Sequence, residues 1–143
     1  MFVRDVMTKS PFTIRLDKRL QAVHSMLEWG AFRHVPVVDE HNFLVGVVSQ
    51  TDVLKASASE FDGTTPRVER DQLLAGIPVT RVMQRGVVTA APDDLVADAA
   101  FSMMHHRVNC LPVVERGRVV GIVTAVDLLG VVAGEAPAQQ PGI

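Results

Sequence analysis

The sequence has no tyrosine, one tryptophan, one cysteine and no basic run or arm. Each scarcity removes a class of function. A single thiol, Cys110, cannot close an internal disulfide, so the fold must stand on packing, and a reducing, cytoplasmic setting suits it. With 14 basic against 16 acidic side chains the net charge is −2, which argues against a binder of phosphate backbones. Few aromatics leave no stacking platform for single strands, so no nucleic acid is expected as a partner. No uncharged apolar stretch reaches membrane-spanning length, and the opening MFVRDVMTKS lacks a signal-peptide core; neither leader nor membrane span is expected.

Catalytic signatures are missing too. There is no nucleophile elbow, no kinase or dinucleotide-binding glycine loop and no metal-ligand motif. The expectation is a non-enzyme with no catalytic residue, no metal and no resident cofactor.

What is present is a duplication. A shift of 76 residues lays Val3 on Val79, Val6 on Val82, Met7 on Met83, Thr13 on Thr89, Asp17 on Asp93, and VPVV (35–38) on LPVV (111–114). After one deleted residue the shift becomes 75, and Val45, Gly46, Val48, Asp52 and Leu54 meet Val120, Gly121, Val123, Asp127 and Leu129. Ordered identities of this length place a repeat at 1–56, a polar linker at 57–78 and a second repeat at 79–133. A tail of low apolar content, 134–143, reads as disordered.

Both repeats read as β-α-β-β-α. A short extended segment (PFTIR, VVTAA) precedes a helix opening near Asp17 or Asp93, where an acid suits the helix dipole. Leu20, Val23, Met26 and Leu27, and Val96, Ala99, Ala100 and Met103, fall at helical spacing. Two strands follow around a turn (EHN, RGR). The prolines in HVPVVD and CLPVVE imply a strand start or edge. Ser49 and Thr124 then serve as N-caps of a second helix. In the linker, Gly63–Pro66 reads as a loop and VERDQLLAGI as a short helix. Gly46 and Gly121 imply close strand packing. The fold class is α/β (α+β), with two units that cover each other's sheets.

The VMT and VM motifs at 6–8 and 82–83, the two PVV strands, and GVVSQTD and GIVTAVD together resemble the tandem CBS-domain pair, or Bateman module, over roughly residues 1–133. LKASASEF after the first repeat is similar to the CBS half of acetoin-utilisation accessory proteins, without the further regulatory domain those can carry. The resemblance implies two units related by a pseudo-two-fold axis, with an adenosine compound held between them. It assigns the acid of each [ST]-x-x-D motif to the ribose hydroxyls. Two carboxylate oxygens match two vicinal donors, and the hydroxyl residue before the acid sits where a helix N-terminus favours phosphate.

Carried over by position, a site at Asp52 has Ser49 and Thr51 as hydroxyls and Arg33 and His34 toward phosphates, with Met83, Val88, Thr89 and Val108 around the base. A site at Asp127 has Thr124, but Val126 replaces the second hydroxyl, and Asn109 and Cys110 stand where Arg33 and His34 stand in the first. Met7, Phe12, Thr13 and Phe32 would line its base pocket. Asp52 is therefore the expected phosphate-binding site, and Asp127 suits a less charged adenosyl compound. The implied function is regulatory binding of AMP, ADP or ATP, sensing energy state or adenosyl ligands for a regulated protein that the sequence does not name. The resemblance also implies a homodimer, formed through the N-terminal half of each first helix and the helices after Asp52 and Asp127. The alternatives are a ligand-free dimeric scaffold and an S-adenosylmethionine-binding pair.

Other residues have plainer readings. Adjacent His105 and His106 point apart on a helix and bind no metal. Cys110 is a small buried residue. Met26, Met103 and Met104 pack a helix interface.

Overall fold

The computed structural model describes residues 1–30, 33–60 and 67–135. The expected loop at Gly63–Pro66 and most of the tail lie outside them. In chain order the elements are α1 (Val3–Val6), β1 (Thr8–Lys9), β2 (Ile14–Arg15), α2 (Leu20–Gly30), β3 (His34–Val38), β4 (Leu44–Ser49), α3 (Gln50–Glu60), α4 (Arg67–Ala75), α5 (Val79–Val82), α6 (Val96–His106), β5 (Cys110–Glu115), β6 (Arg118–Thr124) and α7 (Ala125–Val132).

The residues pack as two units that do not follow the repeat boundaries. One takes 13–40 and 45–86 and carries Asp52; the other takes 1–12, 41–44 and the chain from 87, and carries Asp127. The departure from 1–56 and 79–133 has a specific cause, because each repeat's leading segment is exchanged. In the Asp52 unit, Leu20 N–H donates to Ile77 O at 2.8 Å and Val79 N–H to Lys18 O at 3.0 Å. In the Asp127 unit, Val96 N–H donates to Met1 O at 3.0 Å and Val3 N–H to Asp94 O at 2.8 Å. These are the same two bonds, one repeat apart.

The sheets repeat the correspondence. In the Asp52 unit the strand order is β2-β3-β4, with β2 parallel to β3 through Ile14 and Val37. Gln84 closes the far side of β4 in an antiparallel bridge with Val47. In the Asp127 unit the order is β1-β6-β5, with Thr8 opposite Ile122 and Ala90 bridging Val113 in parallel. The first repeat's turn joins this second unit: Asn42 Nδ2 donates to Val119 O at 2.9 Å, and Arg118 lies over the Phe43 ring at 5.2 Å.

Each core records the exchange. Leu20, Val23, Val35, Val37 and Val48 bury with Leu74, Ile77, Val79 and Met83. Leu111, Val113, Val123 and Leu128 bury with Val3 and Val6. Alternation in the strands and 3.6-residue spacing in the helices supply the inward faces, but the leading segments supply part of each core from elsewhere in the chain.

Two expectations change. The first helices open at Leu20 and Val96, three residues after Asp17 and Asp93. The Lys18 and Asp94 carbonyls are held by the exchanged segments, and Leu95 is extended (φ −71°, ψ 144°), so helix begins only beyond them. Asp93 instead pairs with Arg4. Pro36 stands inside β3, the middle strand of its sheet, rather than at a start or edge, whereas Pro112 stands inside β5, the terminal strand of its sheet, as the edge reading expects. The Pro112 carbonyl accepts from Ala90 N–H at 3.0 Å, and the parallel neighbour is reduced to an isolated bridge between Ala90 and Val113, so little pairing needs the missing N–H.

The strand glycines do what the sequence implies. A Cβ on Gly46 would stand 2.8 Å from Gln84 O and 2.9 Å from Met83 Sδ, and one on Gly121 would stand 2.6 Å from Met7 Sδ and 2.9 Å from Thr8 O. The exchanged segments fit only against bare backbone. Gly46→Ala and Gly121→Ala should each lower unfolding free energy by about 1–3 kcal/mol in urea titrations. Val3→Ala, which removes a fully buried side chain from the exchanged segment, should cost about 2 kcal/mol.

Candidate functional site

Both acids stand in the first turn of a helix and are held by the same reciprocal bonds. Ser49 N–H donates to Asp52 Oδ2 at 2.9 Å, and Asp52 N–H donates to Ser49 Oγ at 3.1 Å. Thr124 N–H donates to Asp127 Oδ2 at 2.8 Å, and Asp127 N–H donates to Thr124 Oγ1 at 3.3 Å. The spacing S/T-x-x-D produces this capping box because the N-cap hydroxyl and the N3 carboxylate satisfy each other's backbone amides. One oxygen of each carboxylate thus serves the helix start. Both carboxylates remain partly exposed.

The residue before each middle strand is tied to the same helix start. Gln50 N–H donates to Arg33 O at 2.9 Å, and Ala125 N–H to Asn109 O at 2.8 Å. This fixes Arg33 and His34 beside Asp52, and Asn109 and Cys110 beside Asp127. The backbone is duplicated while the side-chain chemistry differs.

His34 is half-buried. Its burial lowers the imidazole pKa below the ordinary value, the Asp52 carboxylate opposes that shift and Arg33 adds to it. Cys110 is buried, and desolvation, with a further push from Asp127, raises its thiol to about 12. The site at Asp52 is flanked by groups that are or can become cations; the site at Asp127 is flanked by an amide and an un-ionised thiol.

A further residue, missed by the sequence reading, touches Asp52. Gln84 Nε2 donates to Asp52 Oδ1 at 3.2 Å. The only signal for it was that Gln84 stands opposite Thr8 in the repeat, and that difference gains meaning only once the exchanged segment is seen on β4.

Ser49, Thr51, Arg33, His34, Asp52, Thr13 and Met83 belong to one unit. Thr124, Asp127, Asn109, Phe12, Val88, Thr89, Val108, Cys110 and Met7 belong to the other. Phe32 lies outside the described residues. A cavity of about 260 Å³ lined by Arg15, Leu16, Asp17, Asp39 and Glu40 includes none of the candidate residues.

The histidines differ from expectation. His105 and His106 do not point apart: their rings meet edge-to-face at 4.9 Å, while His105 stacks on Phe101 and His106 Nδ1 lies 2.9 Å from Ser102 O. Both rings turn back along the helix, so neighbours about 100° apart still touch. Among the described residues no group of three or more His, Cys, Asp or Glu converges as metal ligands would, and no helix is long and apolar enough to cross a membrane.

Comparison with known proteins matches the sequence twice to the CBS domain, at residues 3–59 and 79–134. The chain belongs to the CBS domain family. The two matches make it a CBS pair. It is 32% identical to a Vibrio cholerae protein assigned to acetoin utilization, with a TM-score of 0.78 over 94% of this chain and 91% of that one. It is 30% identical to a CBS domain pair solved with 5′-methylthioadenosine and S-adenosyl-L-methionine, with a TM-score of 0.79 over 94% and 97%. A homoserine O-acetyltransferase of Methanococcoides burtonii is 34% identical over 88% of this CBS pair. This chain spans only 23% of that protein's length, about a quarter, so the match carries no transferase activity over to it.

Two outcomes follow from the titrating groups. A lowered His34 pKa means the unfolded chain takes a proton that the fold refuses. The associated stability is fully present above about pH 6.5 and is lost as pH falls from there through the native value. Urea unfolding at pH 7.5 and 5.5 should therefore show a smaller acid loss in His34→Gln than in the wild type. Cys110 should react with iodoacetamide at pH 8 more than about 100-fold slower in the native chain than in the unfolded one.

Proposed function

We propose that this CBS pair is a regulatory module that binds adenosyl compounds, with an adenine nucleotide (AMP, ADP or ATP) at Asp52. The observation that carries the reading is the doubled carboxylate box. Each acid has Oδ2 tied to a cap amide and stays partly exposed at a helix start, so its remaining acceptor capacity can meet a sugar hydroxyl. A charge-assisted bond of that kind contributes about 1.5–3 kcal/mol. Arg33 and His34 favour a phosphorylated ligand beside Asp52, with Ser49 and Thr51 as further hydroxyls. A nearby phosphate dianion would also draw a proton onto His34, coupling nucleotide affinity to pH.

A second reading concerns Asp127. Asn109 and the protonated Cys110 thiol offer no cation there, which suits 5′-methylthioadenosine or S-adenosylmethionine, the compounds bound by the 30%-identical pair. The two acids then serve ligands of different charge.

The module acts as a cytoplasmic homodimer in this reading. Phe101 and Met104 on α6 and Val126, Leu129 and Val132 on α7 are 65–86% exposed, an apolar surface suited to a second copy. Ligand would act on a regulated protein by binding one conformation more tightly than another.

Thermal-shift measurements with AMP, ATP, 5′-methylthioadenosine and S-adenosylmethionine test the reading. At a hundredfold excess over Kd the melting temperature should rise by about 10 °C. Asp52→Ala should remove most of the AMP shift, and Asp127→Ala most of the S-adenosylmethionine shift. No shift with any of the four overturns the proposal.

A further inference from the structure

We infer that Gln84 is a specificity-determining residue that occupies Asp52 until a ligand's sugar hydroxyls displace it. The inference rests on the adenosyl reading of the Asp52 site. Its observation is independent: both oxygens of Asp52 are engaged within the chain. Oδ2 accepts from Ser49 N–H and Oδ1 from Gln84 Nε2. At Asp127 the box takes Oδ2 alike, but among the described residues no hydrogen bond reaches the other oxygen.

The backbone explains why Gln84 is held there. Its N–H donates to Val47 O at 2.9 Å and its carbonyl accepts from Val47 N–H at 3.0 Å. Gly46 lets the segment approach, so the start of the side chain is fixed by the sheet. Thr8 has the same sheet position opposite Ile122, seventy-five residues after Val47, and among the hydrogen bonds of the described residues its side chain makes none to Asp127. One residue difference at matched backbone positions therefore separates an occupied carboxylate from an open one.

The Gln84 side chain is exposed, so it can leave without unpacking the core. A diol that takes the acceptor position facing Gln84 displaces the hydrogen bond from its side-chain amide, whereas a diol at Asp127 displaces no such bond. Affinity at Asp52 is lowered by that exchange for every ligand that uses the carboxylate. Compounds with phosphate contacts at Arg33 and His34 retain useful affinity there, and uncharged adenosides fall below it. Gln84 thus sets a threshold that sorts the two sites by ligand charge, without touching the ligand.

Residue-resolved NMR titration of the full chain tests this without altering either acid. AMP binding is read at the Ser49 and Thr124 amides, which report the two sites separately, and at the Gln84 side-chain amide. Gln84→Thr, which installs the side chain found at Thr8, should tighten the Kd read at Ser49 about fivefold, the effect of releasing one exposed hydrogen bond. The Kd read at Thr124 should stay unchanged. AMP lacking both the 2′ and 3′ hydroxyls should gain nothing, because it has no diol to compete with the amide. Gln84→Ala provides the same measurement if the threonine variant does not fold. Equal Kd values at Ser49 in wild type and variant, or an equal gain for the dideoxy compound, overturn the inference while leaving the site reading intact. If neither Ser49 nor Thr124 responds to AMP or to S-adenosylmethionine in any of these proteins, the adenosyl reading falls and the inference falls with it.

Discussion

The paired backbone bonds between Val47 and Gln84, and their counterpart where Thr8 meets Ile122, hold the rest of this structure in place. A terminal strand of a small sheet exposes a row of unmet amides and carbonyls. Here each terminal strand is met by the leading segment of the other repeat. The contact is so close that the strand residue facing it must be glycine, Gly46 in one unit and Gly121 in the other. From that constraint follow the mixed cores, the late helix starts at Leu20 and Val96, and the delivery of Gln84 to Asp52.

The site gains its chemistry from a duplicated frame with unequal side chains. In both units the capping box orients an acid and a backbone bond fixes the residue before the middle strand. The frame has the same geometry twice, so differences in behaviour must come from paired side chains: Arg33 and Asn109, His34 and Cys110, Gln84 and Thr8, and Thr51 and Val126. The first two pairs set the local charge. Burial holds His34 toward its neutral form and Cys110 wholly so, which leaves Arg33 as the standing cation of the first site. The third pair decides whether the carboxylate is free.

Much of this was legible in the residues. The repeat, the β-α-β-β-α order and the caps at Ser49 and Thr124 follow from periodicity and local hydrogen-bonding chemistry, both of which act within a few residues. The close approach at Gly46 and Gly121 was legible as well, though not what approaches them. Other features were hidden. Asp17 and Asp93 look like helix starts because an acid suits a first turn, but the Lys18 and Asp94 carbonyls accept from residues sixty or more positions away, and helix begins only after them. His105 and His106 look divergent by helical angle, and ring size and side-chain rotation bring them together.

The sequence by itself determined the doubled architecture, the two capped acids and the charge difference beside them. Those depend on spacing, on propensity and on which residue types stand next to one another. Only the tertiary structure decided which repeat's opening segment completes which sheet, and hence that Gln84 reaches Asp52 while Thr8 leaves Asp127 open. Strand pairing between distant segments is selected by backbone bonds that every residue can offer, so no residue pattern announces it. The side chain delivered by such pairing becomes readable only after the pairing is known.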